Sequence, residues 1–565
     1  MQRDRATYPM EAPPIEAPLG ATKRPVNRLA PLALLISAIV AMPIVAIFWI
    51  AFSGDTDNWR HMMLNVVPRA SVQTFELVFY TGIVTSFIGI LCAWLVTAFD
   101  FPLRRSLSIA LVLPLAIPSY LAAYAFGEFL DFTGPIQTFY RGLFGYQSAR
   151  DYVFPDIRSL GGAVLVMSAV LYPYVFLACR SMFLMQGRAA ADVARTLGAG
   201  PLKVFLRVQI PMARPAIMIG LTLVMMEALN DIGAVEYLGV KTLTFSIYDT
   251  WLNRGSLSGA AQIACVMLLI VVAVMAVERA ARKRQRFASN KTTAAVPDQL
   301  RRRLSGWRSL AAVTACILPV VIGFFIPAGV MAQFAARRID QFAESRLLSA
   351  LGHSILVSSS AAAITVVLAF ALAYAARVGK SRPTAIAGRI AALGYGIPGT
   401  VLGIGVLIPL AGLDNAIDGV MRDYAGLSTG LLLSGTGFAI VYAASVRFLT
   451  MAEGSIDAGF QKLSPHLDMA SRTLGRTGLQ TLKNVLMPNM RPAVLTAALL
   501  VFIETLKELS ATILLRPFNF NTLATLVYED ASRSRVQDAS VAAIIIILAG
   551  LVPVLLVSRS LEGKR

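Results

Sequence analysis

The sequence predicts an all-α polytopic membrane protein of about twelve transmembrane helices, arranged as two parallel six-helix repeats. Three observations carry this prediction. Hydrophobic residues make up 56% of the 565-residue chain and charged residues only 15%, where soluble domains carry about a quarter charged residues. Stretches of roughly 20 residues nearly free of charge recur along the whole chain, each long enough to cross a bilayer as a helix. A long segment of the first half also returns, in order, in the second.

Residues 1–28 are polar, with Pro13, Pro14, Pro18 and Pro25 among the basic Arg3, Arg5, Lys23, Arg24 and Arg28, and read as a cytoplasmic tail. The apolar run Pro31 to Phe52 follows too long a leader for a signal peptide and lacks a small-x-small cleavage site, so it is expected to remain as the first helix. Further spans are expected near 73–98, 106–127, 160–182, 215–236 and 258–277, then 309–332, 350–376, 385–411, 428–449, 492–514 and 539–557. The first half thus covers 29–277, with its core from about 73, and the second covers 309–559, with its core at about 350–557. A basic polar linker, 278–308, joins them, and 560–565 form a second short tail.

Charge gives the orientation. Formal net charge is +19, and the dense basic clusters (Arg104–Arg105, Arg188 to Arg214, Arg279 to Arg286, Arg301 to Arg308, Arg377 to Arg382, Arg472 to Arg491, Lys564–Arg565) all fall on one side of a twelve-span count. Lys and Arg accumulate in cytoplasmic loops, so both termini are expected inside. Arg337 and Arg338 locally oppose the trend. No aromatic-interleaved basic patch or zinc-finger spacing points to nucleic acid.

The four cysteines (Cys92, Cys179, Cys265, Cys316) lie in or beside apolar runs without ligand spacing, and His61, His353 and His466 have no paired partner. Neither a disulfide nor a fixed metal centre is expected. Gly233 to Thr242 superficially resembles a phosphate loop, but Lys241 does not directly follow Gly239. No catalytic residue or nucleotide site is therefore expected in this chain.

The repeat is specific. Arg195-Thr196-Leu197-Gly198 returns as Arg472-Thr473-Leu474-Gly475, and in the same register Pro211 meets Pro488 and Arg214-Pro215-Ala216 meets Arg491-Pro492-Ala493. Further on, Glu227 meets Glu504, Asp231 meets Glu508 and Ala234 meets Ala511, while Ile117-Pro118-Ser119 corresponds to Ile397-Pro398-Gly399 in nearly the same register. Parallel halves imply a pseudo-two-fold axis along the membrane normal with a pathway between them. The repeated loop, with its central Gly and a Pro placed to start the next helix, reads as a helix–turn–helix on the cytoplasmic surface.

Asp192-Val193-Ala194, three residues, Gly198, nine residues and then Val208-Gln209-Ile210-Pro211 resembles the Glu-Ala-Ala loop of binding-protein-dependent ABC permeases. The second copy starts differently, as Met469-Ala470-Ser471 with Asp468 one place early, but keeps Gly475 and Pro488. The resemblance implies a type I importer fold in a bacterial inner membrane. It implies docking of two ATP-binding cassette ATPase subunits through Asp192, Ala194, Arg195, Gly198 and Pro211, and through Ala470, Arg472, Gly475 and Pro488. ATP and magnesium would belong to those subunits, with no cofactor in this chain, and a separate extracytoplasmic solute-binding protein would deliver cargo. Leu113 to Tyr120, Gly396 to Leu402 and Thr522 to Tyr528 further resemble the fused ferric-iron permeases, with fused thiamine and phosphonate permeases as near neighbours.

Glu227 lies twelve residues past Pro215, about 18 Å along a helix and near mid-membrane. Glu504 is as deep, and Asp231 and Glu508, four residues further on, are expected on the same helix faces. Acids within spans mark functional sites by default, so these four, with Pro118 and Pro398, are the candidate substrate pathway. The structural alternative is that the acids pair with groups such as Lys507 or cap irregular helix ends. A proton-coupled secondary transporter also has six-plus-six parallel halves, but its charged signature would fall between the second and third spans; here the repeated signature lies between the fourth and fifth.

Overall fold

The computed structural model describes residues 29–53, 56–185, 193–194, 196–283, 301–379, 381–391, 393–464 and 466–562. The tail 1–28, most of the linker, and the loop residues Asp192 and Arg195 lie outside these. The described chain is helical apart from one two-residue parallel pairing, Phe99–Asp100 with Arg302–Arg303, which ties the end of the linker to the first half.

Twelve helical segments follow the predicted order. In the first half these are α1 (Ala30–Ser53), α2 (Val67–Ala98), α3 (Ser119–Leu130, preceded by Arg104–Ala110), α4 (Leu160–Met185), α5 (Ile210–Asn230) and α6 (Leu257–Lys283). In the second they are α7 (Trp307–Arg337), α8 (Ser345–Val378), α9 (Gly399–Ala425), α10 (Phe438–Lys462), α11 (Met487–Leu506) and α12 (Val536–Glu562). Ten of these are long and apolar enough to cross a membrane, and the bent pair Arg104–Ala116 and Ser119–Phe144, which contains α3, makes eleven among the described residues. The twelfth, α10, has the length but carries Arg447 and Glu453 in its interior.

Four expected boundaries are corrected. The tenth span, expected at 428–449, is displaced to Phe438–Lys462, because 426–437 is a Gly- and Ser-rich turn stabilised by Asp414 and Asp418. The spans expected to reach 236 and 514 end at Asn230 and Leu506. The linker expected from 278 begins later, since α6 runs on to Lys283.

The first helix of each half packs across the divide. α1 lies against α6 of its own half and against α9 and the Arg382–Ala391 helix of the other, and Tyr442 Oη donates to Ile39 O at 2.6 Å. α7 likewise packs on α12 and on α3 and α4 of the first half. Glycines permit this closeness: a Cβ at Gly405 would stand 2.4 Å from Pro43 O, and one at Gly323 only 2.1 Å from Ala169 O. Helix association in lipid depends on such van der Waals packing, since lipid removes the hydrophobic drive between apolar helices. The exchange makes the halves one body, with α3, α5, α9, α10 and α11 around its centre.

Candidate functional site

The centre is built from broken helices. On the third and ninth segments the chain makes a short 3₁₀ turn, Leu113–Ala116 or Gly394–Gly396, and restarts after a proline. Pro118 and Pro398 are the N-cap residues of α3 and α9, with nearly identical dihedrals (φ −57°, ψ 144° and φ −59°, ψ 143°). A proline cannot donate to the preceding turn. The 95° bend of the third span follows from this break.

The two acids expected to share helix faces with Glu227 and Glu504 do not. Asp231 is the first residue past α5, with extended backbone, and Glu508 follows the end of α11 by two positions. Each instead accepts the backbone N–H three residues on: Ala234 N to Asp231 Oδ1 and Ala511 N to Glu508 Oε1, both at 2.9 Å. Thr512 adds its N–H and hydroxyl to Glu508 Oε2, at 3.0 and 2.8 Å. Short polar side chains that bond nearby N–H groups compete with helix continuation, and the freed backbone groups are satisfied inside protein, as a membrane interior demands.

The halves solve one local packing problem in two ways. Ser119 hydrogen-bonds Asp231. In the second half Gly399 stands at the Ser119 position and the acid is one carbon longer; a Cβ at Gly399 would come within 2.9 Å of Glu508 Oε1. Direct bonds then stitch the halves together: Gly399 N donates to Asn230 Oδ1 at 2.6 Å, and Ser510 Oγ donates to Asn230 O at 2.6 Å.

All four predicted acids line one cavity of about 80 Å³ between the halves, with Pro118, Arg447 and Lys507. Arg447 pairs with Glu508 at 2.9 Å, both side chains under a tenth exposed, and Lys507 pairs with Glu504 at 2.8 Å. Four carboxyls thus face two basic groups. Buried acids of this kind are costly in a membrane unless paired or used. Arg447, Asn230 and Ser510 were not singled out in the sequence.

Two further cavities lie on the segments that run outward from this centre. Toward the repeated loops lies an apolar one of about 410 Å³, lined by Leu177, Leu223, Met451, Leu500 and Val554 among others, with Glu504 and Lys507 at its edge. Toward the opposite face lies one of about 250 Å³ with Tyr124, Glu236, Tyr237 and Tyr528 in its wall.

The repeated loops have matched geometry. Leu197 N bonds Val193 O and Ala199 N bonds Ala194 O; in the second copy Leu474 N bonds Ala470 O and Arg476 N bonds Ser471 O. Gly198 and Gly475 occupy the left-handed region at φ +83° and +78°, the helix-ending geometry that glycine adopts without strain. Each loop then runs through one π-helical turn (Phe205–Gln209, Leu482–Leu486) into the next helix, with Pro211 and Pro488 in its first turn. Leu197 and Leu474 at the loop tips are 82% and 79% exposed. Asp468, the displaced acid of the second copy, pairs with Arg377 at the end of α8 at 2.8 Å, which fixes that loop to its own half. Arg472 lies in the His466–Thr473 helix; its side chain is outside the described residues.

Residues 85–287 match the family described as "Binding-protein-dependent transport system inner membrane component". The chain is 24% identical over 481 residues to the Fe(3+)-transport system permease protein FbpB 2 of Haemophilus influenzae, covering 84% of this chain and 86% of that one. It is 31% identical over 228 residues to the sulfate transport system permease protein CysW of Escherichia coli strain K12, covering 38% of this chain and 72% of the other. The molybdenum transport system permease protein ModB of the same strain is 26% identical over 225 residues, covering 38% of this chain and 89% of ModB.

Proposed function

Since the chain belongs to the binding-protein-dependent transport system inner membrane components, a family of transport permeases, we propose that the solute it carries is ferric iron. The observation that carries this reading is the charge of the cavity between the halves, whose described lining has four carboxyl groups, Glu227, Asp231, Glu504 and Glu508, and two basic ones, Arg447 and Lys507. A surplus of carboxylates attracts a hard cation that prefers oxygen ligands and repels sulfate or molybdate. The relative matched over most of both chains, FbpB 2, is by name a ferric permease, which supports the same choice.

In this reading two ATPase subunits dock on the loops around Gly198 and Gly475, using Ala194, Ala470, Pro211 and Pro488 to hold the loop shape, with Asp192, Arg195 and Arg472 offering charge. ATP and magnesium stay in those subunits. Both termini face the cytoplasm of a bacterial inner membrane, and a solute-binding protein delivers cargo at the opposite face. Pro118 and Pro398 are the hinges at which the centre opens.

The test is uptake of radiolabelled ferric iron by cells expressing the chain with its neighbouring ATPase and binding protein, with labelled sulfate and molybdate in parallel. Iron uptake that needs ATPase activity supports the reading. Uptake of an oxyanion without iron overturns it.

A further inference from the structure

Glu236 and Tyr528 line the 250 Å³ cavity facing away from the loops, and with Tyr248, which contacts Tyr528, they form a group that the central carboxylates do not explain. Tyr528 Oη donates to Glu236 Oε2 at 2.6 Å and lies 3.0 Å from Tyr248 Oη. A phenol has one proton, so when Tyr528 donates to Glu236, Tyr248 donates to Tyr528. Three oxygens from the two halves therefore meet in one chain of bonds.

Tyr248 and Tyr528 are counterparts under the repeat. Thr242 and Thr522 cap the Leu243–Tyr248 and Leu523–Ser532 helices in the same way. The first N–H of each helix is held by the second long helix of its half, Leu243 N by Thr74 Oγ1 at 2.9 Å and Leu523 N by Ser354 Oγ at 2.7 Å. Equivalent residues that touch each other lie on the pseudo-two-fold axis. The phenol pair consequently stands on the line that also passes through the central cavity.

We propose that Tyr248, Tyr528 and Glu236 form a receiving site for ferric ion at the outer mouth, an inference that rests on the iron reading above. Phenolate and carboxylate oxygens are hard donors suited to a hard trivalent cation. Binding releases the two phenol protons to water; iron stays ferric and no electron moves. Two phenolates and one carboxylate cancel the three positive charges, so the ion and its three ligands together carry no net charge, which lowers the cost of burying it. The ion would then pass toward the carboxylates below. Tyr237 and Arg158 form the far wall, the guanidinium 5.0 Å from the Tyr237 ring centre.

The full chain, purified in detergent, is titrated with ferric nitrilotriacetate and followed by visible absorption for the charge-transfer band of a phenolate–ferric unit. One band saturating at one iron per chain is expected. It should vanish in the Tyr248→Phe/Tyr528→Phe variant, which keeps both rings for packing, and persist in Tyr140→Phe. Thermal melting of each variant checks the fold. Absence of a band in the unaltered chain, or its survival in the double variant, overturns the site. If the band is absent while the assembled transporter still imports labelled iron, the site fails and the iron reading stands. If the band appears without iron uptake, the site stands as a ferric-binding site and the iron reading fails.

Discussion

Arg447 and Glu508 form a 2.9 Å ion pair from α10 to the break after α11, each side chain under a tenth exposed. Under the repeat the position of Arg447 belongs to Val170 in the first half, which lines the same cavity without a charge. The centre of this pseudo-symmetric molecule is therefore electrostatically one-sided. Asp231 relies on Ser119 and a backbone N–H, whereas Glu508 has two backbone N–H groups, the Thr512 hydroxyl and a guanidinium.

Removing that guanidinium is expected to be costly. Arg447→Ala leaves a buried carboxylate with only backbone and hydroxyl donors, and breaking one side of a buried pair typically costs ~3–5 kcal/mol. The melting temperature of the purified chain should fall, and the Arg447→Ala/Glu508→Gln double variant should recover much of the loss. An unchanged melting temperature in the single variant would show that the pair contributes no stability.

A swap between halves tests the packing at the breaks. Gly399→Ser introduces a Cβ 2.8 Å from Ala511 N and 2.9 Å from Glu508 Oε1, so alone it should destabilise the chain. Combined with Glu508→Asp it recreates the Ser119–Asp231 arrangement, apart from the unfulfilled reach to Arg447. Because shortening Glu508 also strands Arg447, the comparison is made in an Arg447→Val background, which matches Val170 of the first half. There the added Glu508→Asp is expected to raise the melting temperature above that of Gly399→Ser, by relieving the contact to Oε1, and equal melting would refute the pairing of side-chain length with the glycine.

Much of this centre was legible in the sequence. The repeat register aligned Asp231 with Glu508 and Ala234 with Ala511, and the structure turns these pairs into identical carboxylate caps. The helix-face relation to Glu227 and Glu504 was not legible correctly, because a continuous apolar run gives no sign that a carboxylate will cap its own backbone and end the helix. Arg447 was missed for a related reason. An expected span of 428–449 puts Arg447 two residues from its end, whereas the displacement of α10 puts it in the helix interior, and its partner is 61 residues away in sequence. The Tyr248–Tyr528 contact needs two short helices whose register differs from that of the loops, which single-sequence periodicity does not reveal.

The loops offer a graded test of ATPase docking. Since, among the described residues, nothing lies within 4 Å of a Cβ at Gly198 or Gly475, a substitution there acts on the loop chiefly through its backbone angles. A non-glycine residue in the left-handed region costs roughly 1–2 kcal/mol, and Asn tolerates it best. Gly198→Asn should thus retain more co-purified ATPase than Gly198→Val, with Leu197→Asp and Leu474→Asp losing it while still inserting in the membrane. Equal recovery of the ATPase in all of these would remove the loops from docking.

The central acids separate transport from structure. Glu504 is held by Lys507 at 2.8 Å, and each side chain keeps about a fifth of its surface exposed, so this pair is more hydrated than Arg447–Glu508. Glu227→Gln/Glu504→Gln preserves size and hydrogen bonding while removing two charges from the cavity wall. The remaining Lys507 would then repel a cation, so the triple variant with Lys507→Gln is the necessary companion. If the carboxylates attract the cargo, labelled-iron uptake per assembled complex should fall roughly tenfold in both variants, the change that about 1.4 kcal/mol of lost attraction produces. Two unit charges 4 Å apart interact by about 4 kcal/mol at an effective dielectric of 20, so the expected loss is a modest fraction of the available field. Uptake that falls in the double variant and returns in the triple one would assign the effect to the unpaired lysine. Uptake that merely tracks the amount of complex would assign the acids to holding the bundle together, and normal uptake at normal assembly would take Glu227 and Glu504 out of the pathway.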